Sequence, residues 1–128
     1  MLRAVDANLN RLGEGLRVLE DVARFALSDA ELIEQLHQLR HQLADGKASL
    51  VLLSARDVAG DLGIQEEVAP RTDTVSIVRA NARRVEESLR VLEEMAPLPP
   101  LGWEAATFSQ ARFKLYDLEK RLVSRLAR

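Results

Sequence analysis

Residues 7–23, ANLNRLGEGLRVLEDVA, and residues 80–96, ANARRVEESLRVLEEMA, are two versions of one segment, 73 positions apart. Ten of the 17 aligned positions are identical. Three more differ conservatively, at Leu12/Val85, Asp21/Glu94 and Val22/Met95. Chance does not easily produce such a match in a chain of 128 residues. We therefore predict that one structural unit occurs twice, with its copies related by a pseudo-two-fold axis.

Each copy carries one apolar stripe with helical spacing. The stripe residues recur at intervals of three and four, and the second copy repeats the pattern of the first. They are Val5, Leu9, Leu12, Leu16, Leu19 and Ala23, then Val78, Ala82, Val85, Leu89, Leu92 and Ala96. This spacing is typical of an amphipathic helix with one buried face. We predict that the two helices pack against each other, with Leu16 and Leu89 buried.

The segments between and after the repeats are also predicted to be mostly helical. Residues 28–31, Ser-Asp-Ala-Glu, have the form of a capping box, which opens a helix that ends near residues 45–46. Its apolar positions are Leu32, Leu36, Leu39 and Leu43. Residues 47–55 are predicted to be helical on a more ambiguous pattern. Apolar residues from Phe108 to Leu126 predict a last helix.

Glycines and prolines mark the breaks between these helices. Residues 58–72 contain two glycines and a proline, which favour a polar loop. Three prolines within residues 97–100 end the second repeat helix. No convincing strand pattern is present. The predicted fold class is all-α, a small helical bundle with a duplicated long helix, in a single domain over residues 1–128.

Composition excludes several classes of function. The hydrophobic fraction of 47% and the charged fraction of 30% are those of a globular protein, and the net charge of -2 gives no bulk attraction to nucleic acid or anionic lipid. The absence of cysteine excludes disulfides and thiolate chemistry. No apolar run is long enough to span a membrane, and the first residues do not resemble a signal peptide. We therefore expect a cytoplasmic protein.

One face of each repeat helix is a candidate ligand surface. At 100° per residue, Asn8 and Arg11 line up with Gly15 beside the apolar stripe, and the second copy repeats this arrangement with Asn81, Arg84 and Ser88. Arginine suits bidentate recognition of phosphate. The small residues Gly15 and Ser88 indicate either a ligand or a close helix–helix crossing, and the pattern does not separate the two. The chain has 15 Arg and only 3 Lys, an excess that a GC-rich genome also explains.

The loop that follows residue 55 is a second candidate site. Asp57 and Asp61 are four residues apart beside Arg56, so that two carboxylates could hold Mg²⁺ while the arginine meets phosphate. Aspartate and glycine also favour turns, and spacing alone favours that simpler explanation. His37 and His41 have the spacing of a helical metal pair, but surface histidines are the better interpretation. No Walker motif is present.

Several motifs of the chain resemble those of one small family. They include Asp6 to Arg11 with Glu14 to Asp21 and Ala23 to Phe25, Leu39-Arg40-His41, Ala55-Arg56-Asp57 with Asp61 and Gly63, Ala80-Asn81 through Arg84 to Glu94, and Arg112-Phe113-Lys114 with Tyr116 and Leu118-Glu119-Lys120. Over nearly its whole length the chain resembles the short, monofunctional hydroxymethylpyrimidine-phosphate kinase of bacterial thiamin synthesis. That family occurs alone or fused ahead of thiamin phosphate synthase.

The resemblance implies a kinase domain that moves the γ-phosphoryl group of ATP onto 4-amino-5-hydroxymethyl-2-methylpyrimidine phosphate. ATP and Mg²⁺ are the implied cofactors, and the product is the diphosphate that thiamin phosphate synthase uses. Chemistry and resemblance together assign catalytic phosphate binding to Arg11, Arg84 and Arg56, Mg²⁺ to Asp57 and Asp61, and substrate binding to Asn8, Asn81, Glu14, Glu87, Arg17 and Arg90. The glutamates are expected to orient the arginines.

Two other functions remain open on the sequence. In one, the domain is a non-catalytic module of thiamin phosphate synthase that binds the pyrimidine phosphate. In the other, it is a structural module whose repeats drive dimerisation. The expected partners are a pyrimidine phosphate and a nucleotide, with thiamin phosphate synthase and a second copy of the chain as further candidates. Nucleic acid and membranes are not expected.

Overall fold

The two long repeat helices form the centre of a helical bundle. A computed structural model describes residues 1–63 and 69–128, and within these ranges it contains five α-helices and no strand. They are α1 (Leu2–Asp21), α2 (Ala30–Leu39), α3 (Leu50–Ala55), α4 (Thr74–Met95) and α5 (Ala105–Leu126). Helix α1 continues as a π-helical segment over Val22–Leu27, and α2 continues in the same way over Arg40–Asp45. The predicted all-α bundle is confirmed.

The apolar stripes of α1 and α4 form most of the core. All twelve stripe residues are buried, and Leu16 and Leu89 retain 0% and 1% of their accessible surface. The predicted packing of the two repeat helices is therefore confirmed. Helices α2 and α5 cover the remaining apolar surface through residues such as Leu36 and Leu115, which are also buried. None of the described helices is long and apolar enough to cross a membrane.

A close crossing of α1 and α4 explains the glycine in the first repeat. A Cβ atom added at Gly15 would lie 2.6 Å from the Val85 Cγ2 atom and 3.2 Å from the Asn81 carbonyl oxygen. Real Cβ atoms do not approach other atoms as closely as the first of these distances, so the crossing requires a residue without a side chain. Of the two interpretations of the small residues, helix crossing thus accounts for Gly15.

The duplication extends to an ion pair in each repeat. Glu20 of α1 accepts a hydrogen bond from Arg40 at 2.9 Å, and its repeat equivalent, Glu93 of α4, accepts one from Arg112 at 3.1 Å. In each case the arginine comes from the helical segment that packs beside the repeat helix. Burial raises the pKa of Glu20, but the hydrogen bonds from Arg40 and His37 outweigh burial, so the pKa lies below its usual value. These pairs tie each repeat helix to its neighbour.

The start of α2 differs from the prediction by one residue. Asp29, and not Ser28, is the N-cap, because its carboxylate accepts a hydrogen bond from the Leu32 amide at 3.1 Å. Ser28 instead has a left-handed backbone with φ of 51°. The π-helical segment ends at Asp45, but Gly46 and Lys47 are still helical, so the helical path reaches one residue beyond the predicted end near residues 45–46.

The segment before α4 agrees with the prediction only in part. Helix α3 begins after the Ser49 N-cap, whereas the prediction began it at residue 47. Residues 56–63 and 69–73 are non-helical, as predicted for the loop 58–72. The rest of that predicted loop, residues 64–68, lies outside the described residues.

Candidate functional site

A single cleft brings the duplicated polar residues together. Asn8 and Arg11 from α1 line it together with Asn81 and Arg84 from α4, and its open volume is about 1370 Å³. Tyr116 of α5 also contributes to the wall. We call this the repeat cleft. Because the two helices pack through their apolar stripes, the neighbouring faces of both helices open onto the same space.

The two asparagines are held in the same way. The Asn8 side-chain amide donates a hydrogen bond to the Ala4 carbonyl at 2.8 Å, and the Asn81 amide donates to the Ile77 carbonyl at 2.8 Å. Each bond links residues four apart on one helix and fixes the side chain against its own backbone. Each amide keeps its oxygen and a second N–H group for a ligand.

The arginines of the cleft are not in equivalent surroundings. The Arg84 guanidinium donates a hydrogen bond to the Glu14 carboxylate at 3.0 Å, across the two repeat helices. The repeat equivalents of this pair are Glu87 and Arg11, and they form no ion pair in the described structure. Glu14 therefore contacts the arginine of the other repeat and occupies part of its donor capacity. Both partners are substantially exposed, with side-chain accessibilities of 64% and 46%, so an anionic ligand can compete with Glu14 for Arg84.

Arg56 forms an ion pair with a protein carboxylate, and its side chain remains 41% exposed. Its Nε and Nη2 atoms donate to the two oxygens of Asp6 at 2.8 and 2.9 Å, which makes a bidentate pair between the loop and α1. Hydrogen bonding to Asp6 raises the pKa of Arg56. The pair anchors the start of the loop to α1. Two of the three guanidinium nitrogens of Arg56 therefore already donate to Asp6.

The aspartates of the loop take part in turns. Asp57 accepts a hydrogen bond from the Gly60 amide and Asp61 accepts one from the Gly63 amide, each at 2.9 Å. Both side chains are exposed; Asp61 lines the repeat cleft, and both aspartates line a smaller adjoining pocket of about 360 Å³. Turn chemistry thus accounts for one oxygen of each carboxylate.

The donor set for Mg²⁺ is small. Within residues 1–63 and 69–128, no three histidines or acidic residues come close enough to hold a metal ion. Asp57 and Asp61 fit only an ion that takes its other ligands from water and from a bound phosphate, as Mg²⁺ commonly does. ATP and Mg²⁺ therefore remain predictions that no finding tests.

Some of the predicted residues stand away from the repeat cleft. Arg17 pairs with Asp21 on α1, and Arg90 pairs with two glutamates of α4, and neither arginine lines the described cleft. Glu87 lies in its wall. His37 contacts Glu20 at 3.1 Å, and both histidines of the candidate metal pair are exposed on the surface of α2 and its extension.

The cleft also contains residues that sequence reasoning missed. Among them are a carboxyl pair from different helices, Glu86 of α4 and Glu119 of α5. Within residues 1–63 and 69–128, the charged residues that line the cleft are Arg11, Arg71, Arg79, Arg83 and Arg84, and Glu14, Asp61, Glu86, Glu87 and Glu119. One signal in the sequence pointed to Glu86: it is the position where the second repeat has a charged residue and the first has Gly13. The remaining residues that the sequence did not indicate, such as Glu119, come close to one another only when the chain folds.

Comparison with known proteins identifies the family. A family model described as the ThiD2 family matches residues 3–121. The chain belongs to the ThiD2 family. Curated relatives of this ThiD2 chain are named thiamine-phosphate synthase: one from Synechocystis sp. is 45% identical over 94% of the chain, one from Synechococcus sp. (strain WH7803) is 42% identical over 94%, and one from Rhodopirellula baltica is 37% identical over 99%. No solved structure matches the chain.

The ThiD2 chain corresponds to only part of these relatives. It covers 36% of the length of the Synechocystis protein and 35% of the other two, so it spans about a third of the relatives that it matches. The predicted connection with thiamin biosynthesis is confirmed by the family and by these names. The activity of the whole relatives is a property of much longer chains.

The prediction of a hydroxymethylpyrimidine-phosphate kinase is wrong on these findings. The relatives are named as a synthase of thiamine phosphate, and not as a kinase with a phosphate group as acceptor. The prediction came from the resemblance of the motifs, whereas the residues themselves indicated only sites for an anion. A cleft that binds phosphate groups is common to both functions, so the residues do not separate them.

Proposed function

We propose that this ThiD2 chain is a non-catalytic domain that binds a phosphorylated pyrimidine in the repeat cleft and serves thiamine-phosphate synthase. The observation that carries the proposal is that duplication supplies Arg11 and Arg84, each with an asparagine beside it, to one cleft. Guanidinium groups bind phosphate through paired, charge-assisted hydrogen bonds. Two such groups, with two side-chain amides, form a site for a phosphate ester that has a polar ring.

The class of ligand follows from the relatives and from the amides. Thiamine contains an aminopyrimidine ring, and the relatives are named for the synthesis of thiamine phosphate. Asn8 and Asn81 each offer an acceptor oxygen and an N–H group, which match the amino group and the ring nitrogen of such a pyrimidine. The remaining two thirds of a relative's length would carry the condensation itself.

The buried stripes argue against the dimerisation module. That alternative uses the repeat helices to pair two chains, but the stripes of α1 and α4 are buried against each other within one chain. A helix face that is already buried offers no further apolar surface to a second copy.

Calorimetric titration with 4-amino-5-hydroxymethyl-2-methylpyrimidine phosphate tests the binding. We expect saturable binding that weakens by about tenfold or more in Arg11→Ala and in Arg84→Ala, because each loses charge-assisted hydrogen bonds to the phosphate. The free alcohol should bind far more weakly. Arg24→Ala is the matched control, since Arg24 is exposed, packs over the Phe25 ring and does not line the described cleft.

An assay with ATP and Mg²⁺ tests the non-catalytic part of the proposal. Incubation with the pyrimidine phosphate should release no ADP above background. Formation of ADP together with a doubly phosphorylated pyrimidine would overturn that part. Unchanged affinity in both cleft variants would overturn the assignment of the cleft.

A further inference from the structure

Two carboxyl groups face each other in the wall of the repeat cleft. Glu86 projects from α4 and Glu119 from α5, and both line the cleft beside Tyr116. The Glu86 Oε2 atom is buried, and it has no hydrogen-bond partner within residues 1–63 and 69–128. Buried polar atoms are almost always hydrogen-bonded, so this atom needs either a proton shared with Glu119 or a donor group from a ligand in the cleft.

Elsewhere on the same two helices, the position that corresponds to this carboxyl pair holds an ion pair. Glu93 of α4 receives a hydrogen bond from Arg112 of α5 at 3.1 Å. Seven residues back along α4 and seven forward along α5, the same register brings Glu86 to Glu119. Glu119 therefore occupies the position on α5 that corresponds, two helical turns away, to Arg112. The chain has an acid facing Glu86 there instead of an arginine. Facing carboxylates repel each other, so the pair lowers stability unless one member is neutral.

The internal repeat points to the same residue. Glu86 is the equivalent of Gly13, where an added Cβ atom would lie 3.1 Å from the Ala44 methyl group. The neighbouring repeat positions, Glu14 and Glu87, are identical in both copies. The shared packing pattern of the repeats therefore has no need of a side chain at this position, and Glu86 is a departure confined to the copy that faces Glu119.

The surroundings of Glu86 favour its neutral form. Burial and the hydrogen bond with Glu119 raise the pKa of Glu86 to about 8, and Glu87 adds to the increase while Arg83 opposes it. Near pH 7 the Glu86 side chain is therefore mostly a carboxylic acid, which can donate one hydrogen bond through its O–H group and accept another through its carbonyl oxygen.

We infer that Glu86 is a specificity-determining residue of the repeat cleft, which recognises the amino-substituted, nitrogen-containing ring of the ligand while the arginines hold its phosphate. This inference rests on the proposed function. A protonated carboxyl matches a cyclic amidine: its O–H donates to the ring nitrogen, and its carbonyl oxygen accepts from the exocyclic amine. Glu119 acts as a positioning residue: its hydrogen bond with Glu86 orients the Glu86 carboxyl in the free chain, and on binding the Glu86 O–H turns from Glu119 to the ring nitrogen.

The charge of the cleft links this recognition to pH. Among the residues that the structure describes, five arginines and five acidic residues line the cleft, so a neutral Glu86 leaves these ten groups with a formal charge of +1. When Glu86 loses its proton, the O–H donor disappears and the positive charge is cancelled. Both changes weaken the binding of a phosphorylated amino-heterocycle, and only the first is specific for the ring.

Titration with two phosphate esters tests the inference. The probes are 4-amino-5-hydroxymethyl-2-methylpyrimidine phosphate and benzyl phosphate, which has the same exocyclic CH₂-phosphate but no ring nitrogen or amine. At pH 6.5 we expect the wild-type chain to prefer the pyrimidine by about tenfold or more, and at pH 9.5 we expect most of this preference to be lost. Glu86→Gln keeps a neutral donor and acceptor, so it should retain the preference at both pH values.

A second variant and a control complete the design. Glu86→Leu should bind both esters alike and keep the wild-type affinity for benzyl phosphate. The control is Asp117→Asn, because Asp117 is an exposed residue of α5 that does not line the described cleft; this variant should behave as the wild type. Should Glu86→Leu fail to fold by circular dichroism, the pH profile of Glu86→Gln decides. If neither ester binds the wild type, the proposed function fails. If both bind without discrimination, or if Glu86→Gln loses the preference in parallel with the wild type, the inference alone is overturned.

Discussion

Leu16 and Leu89 occupy equivalent positions in the two repeat helices, and both are excluded from solvent. Truncation of either side chain removes apolar contacts and leaves a cavity between α1 and α4. We expect Leu16→Ala and Leu89→Ala each to lower the free energy of unfolding by roughly 2–5 kcal/mol, as measured by urea denaturation. Leu62→Ala is the control, because Leu62 is fully exposed and should change little. A loss below about 1 kcal/mol in both core variants would contradict the packing.

At the scale of the helix, Gly15 sets how closely α1 approaches α4. Alanine gains about 1 kcal/mol of helix propensity over glycine, but overpacking a core typically costs about 1–3 kcal/mol. The clash of the new Cβ is with a stiff, buried Val85 and with the backbone of α4, which cannot move aside easily. We therefore expect Gly15→Ala to lower the midpoint of thermal unfolding.

Gly13→Ala is the matched control on the same helix. Its new Cβ atom would lie 3.1 Å from the Ala44 methyl group, a milder contact than the one at Gly15. The gain in helix propensity should roughly offset this contact and leave the midpoint nearly unchanged. A stabilised Gly15→Ala protein would show that α1 and α4 are not held at this distance.

The helices were predictable because their signals are local. Apolar residues at intervals of three and four identified both repeat helices, and every residue of the two stripes is buried. The N-cap of α2 was misplaced because Ser28 and Asp29 are both favourable caps, and only the backbone conformation separates them.

Of the residues that line the cleft, those that occur at equivalent positions in the two repeats were the ones that the sequence could predict. Asn8, Arg11, Asn81 and Arg84 were found because the repeat pairs them. The bond of Arg56 to Asp6 spans 50 positions and the Glu86–Glu119 pair spans 33. Neither has a periodic signal, since such pairs depend on how whole helices pack.

For the whole molecule, the Glu86–Glu119 pair makes stability depend on pH. The pKa of Glu86 is about 8 in the folded chain against 4.5 for an ordinary glutamate. Between these values the folded state holds a proton that the unfolded state has released, so this group's contribution to stability falls as pH rises from about 4.5 to about 8 and levels off above that.

Glu86→Gln should remove this dependence. Its thermal midpoint should exceed that of the wild type by a margin that grows from pH 5 to pH 8, because glutamine stays neutral. Differential scanning calorimetry across that range measures the margin, with Asp117→Asn as the control for the loss of one surface carboxylate. A constant margin would show that Glu86 titrates as an ordinary carboxyl.

The claim that one cleft between the two repeats holds the phosphorylated pyrimidine is tested most directly by nuclear magnetic resonance. The measurement is a titration of ¹⁵N-labelled protein with 4-amino-5-hydroxymethyl-2-methylpyrimidine phosphate, in which the side-chain Nε–H signals of the arginines are followed. The signals of Arg11 and Arg84 should shift together and saturate at one ligand per chain, while that of Arg24 stays in place. Shifts confined to one repeat, shifts at residues outside the cleft, or no shifts at millimolar ligand would contradict the claim.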